Sequence, residues 1–163
     1  MRYYVDCEFN GSGGQLISIG LVTQSGDRSF YRVLPMHELP QPWIRENVFP
    51  VLGQSAVPRA QASAELAEWL DEDRETATFV SDWPEDIVHL LDLTLSAPLE
   101  RRGPASYRTL VLDLPGFAAS AVSAVPHCAV HDAEALRAFC EQGLADGVQG
   151  ALTARDFNFL RAT

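Results

Sequence analysis

The stretch Arg2–Phe9 (RYYVDCEF) combines strand-forming residues with two carboxylates, Asp6 and Glu8. Its aromatic and β-branched residues favour an extended backbone, in which residues two apart project from the same face. Asp6 and Glu8 therefore lie side by side and repel each other unless a positive charge sits between them. A divalent cation with oxygen ligands, magnesium or manganese, removes this repulsion. The alternative for this stretch alone is an edge strand whose outer face carries two solvated acids.

Length and composition predict a single domain. The chain has 163 residues, of which 47% are hydrophobic, enough for one substantial core over residues 1–163. It contains no run of eighteen apolar residues and no basic-then-apolar segment at the N-terminus, so we expect a cytoplasmic protein without membrane contact. The cysteines, Cys7, Cys128 and Cys140, lack zinc-type spacing, and we expect reduced thiols.

The charge balance restricts the class of partner. The formal net charge is -10, and all twelve basic residues are arginine. An acidic chain is a poor candidate for non-specific binding to long duplex nucleic acid, because that affinity comes from neutralising phosphates. An enzyme whose carboxylates are covered by metal ions stays compatible with this charge, since the ions themselves then meet the phosphate.

The order of the predicted elements indicates an α/β protein. Three strands joined by short turns come first and form an antiparallel meander. Two more strands then alternate with helices, which predicts a mixed five-stranded sheet, three antiparallel strands followed by two parallel ones, flanked by helices. The predicted strands are 2–9, 15–23, 28–34, 75–81 and 107–112, and the predicted helices are 59–71, 85–95, 131–144 and 150–162. The segment 43–52 is predicted as helical or irregular.

Three acids stand where an apolar strand ends and a helix begins. They are Asp82, Glu85 and Asp86, in the segment Asp-Trp-Pro-Glu-Asp. Functional sites in sheet proteins gather at such junctions. The alternative is a structural role, because an acid near a helix N-terminus stabilises the helix dipole by roughly 0.3–1 kcal/mol.

A loop leading into the helix at 131–144 carries a histidine and another acid. His127 precedes Asp132 by five residues, which places an imidazole just outside a helix whose first turn presents a carboxylate. One of these groups can accept a proton while the other binds metal. The alternative is a surface histidine beside a helix-terminal acid, and we expect His131 to point away from the site.

Together, these motifs resemble those of a known enzyme family. D-x-E on the first strand (RYYVDCEF), an acid at a later strand-to-helix junction (SDWPEDIVHLL) and H-x4-D before a C-terminal helix (PHCAVHDAEALRAF) occur in this order. The order resembles the DEDDh branch of the 3′-5′ exonucleases, in particular its small bacterial and phage exoribonucleases with an RNase T-like, ribonuclease H-like fold. The order of helices and strands agrees with this family over most of the chain. The sequence resemblance itself consists of three short motifs.

The resemblance implies a role for each site residue. Asp6 and Glu8 match the first motif, and His127 and Asp132 match the third. In the second motif the family usually has Asn at the strand end and a metal-binding Asp four residues later, so Asp86 is the expected ligand. Asp82 stands at the Asn position, and this departure makes it the alternative ligand. The resemblance implies two Mg²⁺ or Mn²⁺ ions held by the acids, with the histidine as general base and nucleoside 5′-monophosphates as products.

The resemblance also implies a substrate and its contacts. Phe9 and Cys7 are predicted to border the terminal nucleotide, although the Cys7 side chain should face the core and Phe9 has core packing as its alternative. Candidates for binding upstream phosphates, or plain surface charges, are Arg45, Arg59, Arg101 and Arg102. Single-stranded RNA or a short oligonucleotide is the expected substrate, with DNA left open because the choice depends on the 2′-OH. Relatives of this kind are often dimers, so a homodimer is expected by analogy.

Other functions share the same residues. A ribonuclease H-type endonuclease has a similar acidic strand site but produces internal fragments. A catalytically inactive nucleic-acid or protein-binding module is a second alternative, and a small hydrolase of nucleotides or cyclic dinucleotides is a third.

Overall fold

The computed structural model describes residues 1–73, 76–97, 100–101, 103–104 and 106–145. The strands are β1 (Arg2–Phe9), β2 (Leu16–Thr23), β3 (Ser29–Val33), β4 (Ala77–Ser81), β5 (Leu95–Ala97), β6 (Glu100–Arg101) and β7 (Tyr107–Val111). The α-helices are α1 (Pro42–Asn47), α2 (Arg59–Asp71), α3 (Pro84–Leu93), α4 (Ala119–Val122) and α5 (Ala129–Ala145), and Phe49–Val51 forms a 3-10 turn.

Five strands form one mixed sheet in the order β3-β2-β1-β4-β7. β1, β2 and β3 are antiparallel neighbours, whereas β1, β4 and β7 run parallel. The predicted fold class, three antiparallel strands followed by two parallel ones with flanking helices, is therefore confirmed. Because β1 is the middle strand and pairs with β4 in parallel, its carboxyl end lies at the sheet edge where β4 runs into α3. Ligand sites of parallel sheets form at this edge.

The alternation of β1 divides its side chains between two faces of the sheet. Tyr3, Val5 and Cys7 belong to the larger core, which α2 and α3 cover with leucines such as Leu66 and Leu90. The intervening residues of β1 face the other side, where α5 packs against β1 and β2. The expectation that the Cys7 side chain faces the core is confirmed, and the acids of β1 project toward the side that α5 covers.

Several boundaries differ from the predicted ones for local reasons. The segment predicted at 43–52 is divided into α1 and the 3-10 turn, and α5 begins at Ala129, two residues before the predicted start. Neither α4 nor the small β5–β6 sheet was predicted, because these elements have four residues or fewer and show no periodicity. The helix predicted at 150–162 lies outside the described residues. None of the helices in the described part of the chain is long and apolar enough to span a membrane.

Candidate metal centre

One pocket of about 560 Å³ at the carboxyl end of β1 brings together every acid and the histidine that the motifs singled out as metal ligands or general base. Those residues are Asp6, Glu8, Asp82, Asp86, His127 and Asp132. They come from β1, from the β4–α3 junction and from the start of α5, which are distant in the chain. The pocket is also lined by Cys7 and Phe9, the two predicted substrate contacts.

Within the pocket, the side chains form two groups that are each able to hold a cation. Oxygen atoms of Asp6, Asp82 and Asp86 lie within 4.8 Å of one another. Ligand atoms of Glu8, His127 and Asp132 also lie within 4.8 Å of one another. The preference for Asp86 over Asp82 as a ligand stays a prediction, because both carboxylates accompany Asp6.

Asp86 is buried and held from two sides. Its Oδ1 accepts a hydrogen bond from the Cys7 backbone N–H at 3.2 Å, and its Oδ2 accepts one from the Ser81 hydroxyl at 2.6 Å. Ser81 ends β4, and its Oγ accepts a hydrogen bond from the Trp83 backbone N–H at 2.9 Å. The first turn of α3 is thereby attached to both β1 and β4, which gives Asp86 a defined orientation beside Asp6.

His127 and Asp132 are oriented by the chain that precedes α5. His127 has φ 65°, a left-handed conformation in which histidine is enriched among non-glycine residues. Its backbone N–H donates to Asp132 Oδ2 at 2.9 Å, so the loop and the carboxylate support each other. The imidazole lies edge-on to Trp43, with ring centroids 4.8 Å apart. The sequence predicted the histidine and the acid but not this contact with Trp43.

The electrostatics of the pocket favour bound positive charge. Burial, and after it the charges of Asp86 and Glu8, raises the pKa of Asp6 well above its usual range. Burial, followed by neighbouring carboxylates, raises the pKa of Glu8 to about 8. Burial is also the main cause that raises the pKa of Asp86 to about 7. The ionised carboxylates are thus disfavoured as long as no cation accompanies them.

Two buried oxygen atoms fit a metal ligand role. Asp6 Oδ2 and Asp132 Oδ1 accept no hydrogen bond from the described residues. An unpaired buried carboxylate oxygen is costly, and a hard cation with oxygen ligands removes that cost. No arginine of the described chain lines the pocket, so no side-chain cation neutralises the acids there. The donor set of carboxylates with one imidazole therefore fits Mg²⁺ or Mn²⁺.

The raised pKa values predict that the metal-free protein loses stability as the pH rises. The pKa of Glu8 is about 8 in the folded protein, against 4.5 for an ordinary glutamate. Between these two pH values, the folded protein binds more protons than the unfolded chain does. The free energy of unfolding therefore falls across this window. With EDTA, we expect the Tm to be roughly 5–10 °C lower at pH 8 than at pH 5.5, because each kcal/mol shifts the Tm of such a domain by about 2–4 °C.

Manganese should reverse that loss, because a bound cation replaces the protons as the counter-charge of the acids. Thermal unfolding followed by circular dichroism at both pH values, with EDTA or Mn²⁺, tests this. Glu46→Gln removes an exposed carboxylate outside the pocket and should leave the pH dependence unchanged. Equal Tm values at both pH values together with no response to Mn²⁺ would contradict a metal centre here.

Gly20 is a positioning residue that the sequence did not reveal. It pairs with Asp6 across β1 and β2, and a Cβ atom at this position would lie 2.3 Å from the Val130 backbone nitrogen and 2.4 Å from the Ala129 carbonyl carbon. The start of α5 can therefore approach β2 only because Gly20 has no side chain. This close approach brings Asp132 up to the acids of β1.

Gly20→Ala should move Asp132 away from the acids of β1. The added methyl group has to displace the start of α5 by about 1 Å, and such overpacking costs roughly 1–3 kcal/mol of unfolding free energy. We also expect weaker Mn²⁺ binding, measured by calorimetry, because Asp132 moves with the helix. The matched control is Gly143→Ala in α5, where the added Cβ would have no atom within 4 Å beyond its chain neighbours and the nearby backbone of its own helix. Unchanged stability and metal affinity for Gly20→Ala would show that α5 does not depend on this contact.

Other predicted contacts lie apart from the pocket. Arg59 pairs with Asp92 at 2.7 Å, and neither it nor the exposed Arg45 lines the pocket. Arg102 and the side chain of Arg101 lie outside the described part of the structure. The Cys7 side chain is in the core. Its backbone N–H donates to the Asp86 carboxylate at 3.2 Å, and its thiol donates to the Asp86 backbone carbonyl at 3.7 Å.

Two tryptophans at the pocket were not predicted as site residues. Trp43 and Trp83 line it and are 49% and 56% exposed. The one feature of the sequence that could have indicated them is that both lie next to a proline in a segment that is not a strand. A large aromatic residue in such a segment has few core residues to pack against. That signal is weak, since only the folded chain brings residues 43 and 83 to one pocket.

No family model matches this chain, and no curated protein matches its sequence. A functional conclusion therefore depends on the chemistry of the pocket and on the three motifs.

Proposed function

We propose that this protein is a divalent-metal-dependent 3′-5′ exonuclease that releases nucleoside 5′-monophosphates from single-stranded RNA or short oligonucleotides. One observation carries the proposal: two groups of ligand atoms, one of three carboxylates and one of two carboxylates and an imidazole, share a single pocket. Paired cation sites of this kind suit phosphodiester hydrolysis, because one ion can serve the attacking oxygen and the other the leaving oxygen.

The acids of the pocket would bind two Mg²⁺ or Mn²⁺ ions, with different acids as the ligands of each ion. Asp6, together with Asp86 or Asp82, would hold one ion, and Glu8 with Asp132 would hold the other. When bound, the ions supply the positive charge that the scissile phosphate requires and make the attacking water more acidic. The buried setting of Asp86 and Asp132 limits the movement of their carboxylates.

His127 is the general base in this proposal. Among the described side chains that line the pocket, the imidazole of His127 is the one basic nitrogen group. It accepts the proton of the attacking water, a task for which histidine is suited near neutral pH. The loop bond to Asp132 and the edge contact with Trp43 restrict the imidazole to the pocket side.

A second pocket beside the metal centre suits the terminal nucleotide. It measures about 270 Å³ and shares Cys7, Glu8, Phe9 and Trp43 with the larger pocket. Aromatic side chains hold the bases of single strands by stacking, which is tolerant of sequence. Phe9 packs beside His89, with ring centroids 4.9 Å apart, and its exposed side borders this pocket. The net charge of -10 is unfavourable for long duplexes, so a short or single-stranded substrate is the better fit.

The decisive experiment is a time course on 5′-labelled single-stranded RNA with Mn²⁺. Parallel reactions contain EDTA, a copy blocked by a 3′-phosphate, or a DNA copy. A ladder that shortens by single nucleotides from the 3′ end, and that disappears with EDTA and with the block, supports the exonuclease and gives the sugar preference. Internal fragments from the blocked copy would instead indicate an endonuclease, and intact RNA in every reaction would indicate a binding module or a mononucleotide substrate.

The expected homodimer and the cytoplasmic location rest on the resemblance and on composition alone. Light scattering at several protein concentrations decides the first. The proposed activity does not depend on either, because every proposed ligand comes from one chain.

A further inference from the structure

Trp83 is an exposed aromatic residue whose side chain and backbone are both fixed. It is 56% exposed and lines the metal pocket next to Asp82. Its indole Nε1–H donates to Glu85 Oε2 at 3.1 Å. Its backbone N–H donates to the Ser81 hydroxyl, the same group that binds Asp86. An exposed indole gains little from packing, so holding it in one orientation serves the pocket rather than the core.

Glu85 is itself fixed by the turn that joins β1 and β2. Its Oε1 accepts a hydrogen bond from the Gly13 backbone N–H at 2.6 Å and another from the Ser12 hydroxyl at 3.1 Å. The carboxylate thus links this turn to the indole of Trp83. The link belongs to neither ligand group, and Trp83 stays 56% exposed where it lines the pocket.

The two tryptophans accompany different ligand groups of the metal centre. Trp43 contacts His127, a member of the group with Glu8 and Asp132. Trp83 adjoins Asp82, a member of the group with Asp6. A strand whose scissile phosphate lies between the two groups therefore places one nucleotide on each side. The terminal nucleotide belongs to the pocket shared by Phe9 and Trp43, which leaves the next nucleotide for Trp83.

We propose that the Trp83 indole stacks on the base of the penultimate nucleotide, and that Glu85 is the positioning residue that holds the indole in place. The inference rests on the proposed exonuclease function and adds a substrate contact to it. It assigns the enzyme a preference for substrates that carry a base at the penultimate position, irrespective of which base that is.

The test pairs protein variants with an altered substrate. The substrates are a five-nucleotide single-stranded RNA and a copy whose penultimate residue lacks its base, both assayed with Mn²⁺ for kcat and KM. With the wild-type protein, we expect the abasic copy to raise KM by roughly 5- to 150-fold, the loss that corresponds to one stacked base, with little change in kcat. Trp83→Ala should raise KM for the normal RNA by a similar factor and should then show no further penalty for the abasic copy.

Companion variants separate stacking from a structural effect. Trp83→Phe keeps an aromatic face, so the abasic copy should still raise KM in this variant, although by a smaller factor. Glu85→Ala should raise KM for the normal RNA in the wild-type background but should not raise it further in a Trp83→Ala background. Val88→Ala removes an exposed apolar side chain from the same helix and should behave as wild type. The readout is the ratio of KM values within each variant, so a general loss of activity does not affect it.

The outcomes separate a failure of the Trp83 stacking role from a failure of the proposed exonuclease function. If Trp83→Ala shows the full abasic penalty, the stacking role is wrong while the exonuclease stands. If the wild-type protein degrades neither RNA, the proposed function fails and the stacking role fails with it.

Discussion

Asp6→Asn should eliminate metal-dependent hydrolysis and at the same time stabilise the metal-free fold. Asp6 stands in the group with Asp82 and Asp86, and its Oδ2 is buried without a hydrogen-bond partner among the described residues. Asparagine keeps the size of the side chain but removes the charge that a cation requires. Losing several kcal/mol of metal-derived transition-state stabilisation corresponds to at least roughly a 10³-fold lower rate.

The effect on stability has the opposite sign because the pKa of Asp6 is raised in the folded protein. At pH 8 without metal, an ionised Asp6 is repelled by its neighbours, and the neutral amide is not. We expect a Tm a few degrees higher than that of the wild type in EDTA, and little or no further increase on adding Mn²⁺. RNA degradation and thermal unfolding of the same preparation measure both effects.

A matched substitution shows whether the result is specific to the pocket. Asp71→Asn makes the same chemical change at an exposed position at the end of α2 and should alter neither the rate nor the Tm by a measurable amount. Retained hydrolysis in Asp6→Asn would rule out the proposed metal centre. A lower Tm in EDTA would show that the carboxylate stabilises the fold in a way that the pocket geometry does not account for.

Removing the His127 imidazole should slow turnover by about 10²–10⁴-fold, the usual contribution of a general base, with metal binding retained. The backbone of His127 has a separate role, since its N–H holds Asp132. The substitution must therefore suit φ 65°, and alanine is strained there. His127→Asn and His127→Gly both accept this conformation, so they remove the imidazole without moving Asp132.

Three measurements test this role together. Single-turnover rates should fall in both variants, Mn²⁺ affinity from calorimetry should change little, and the Tm should be close to that of the wild type. His37→Ala, which removes an exposed histidine that does not line the pocket, serves as the control. An unchanged rate in His127→Asn would mean that hydrolysis proceeds without an imidazole. A lost Mn²⁺ affinity would make the imidazole a metal ligand rather than a base.

The features that the sequence predicted well depend on local periodicity. The two-residue repeat of β1 placed Asp6 and Glu8 on one face and Cys7 on the other, as found. The helical spacing of apolar residues gave α2 its observed bounds, Arg59–Asp71. Short turns between the first three strands predicted antiparallel pairing, which the sheet confirms. Each of these inferences uses neighbours a few residues apart, which steric and hydrophobic rules govern directly.

The candidate site was predicted less completely, because it joins distant segments. The motifs named the acids and the histidine, yet they left Asp82 and Asp86 as alternatives, and both carboxylates lie beside Asp6. The short helix α4 was missed, although its residues Ala119 and Ser120 line the pocket. Four residues are too few to show a helical period, so only their packing against α5 specifies them.

The sequence by itself determined the fold class, the division of β1 into two faces and the residue types from which a metal centre can be built. These three features follow from the periodicity and chemistry of side chains, which can be read from a short segment without knowing the rest of the structure. Only the tertiary structure decided that Gly20 admits the start of α5, that Trp43 adjoins His127 and that the turn at Gly13 holds Glu85. Such contacts join segments far apart in the chain, and their distances depend on how the sheet and helices pack rather than on any local pattern.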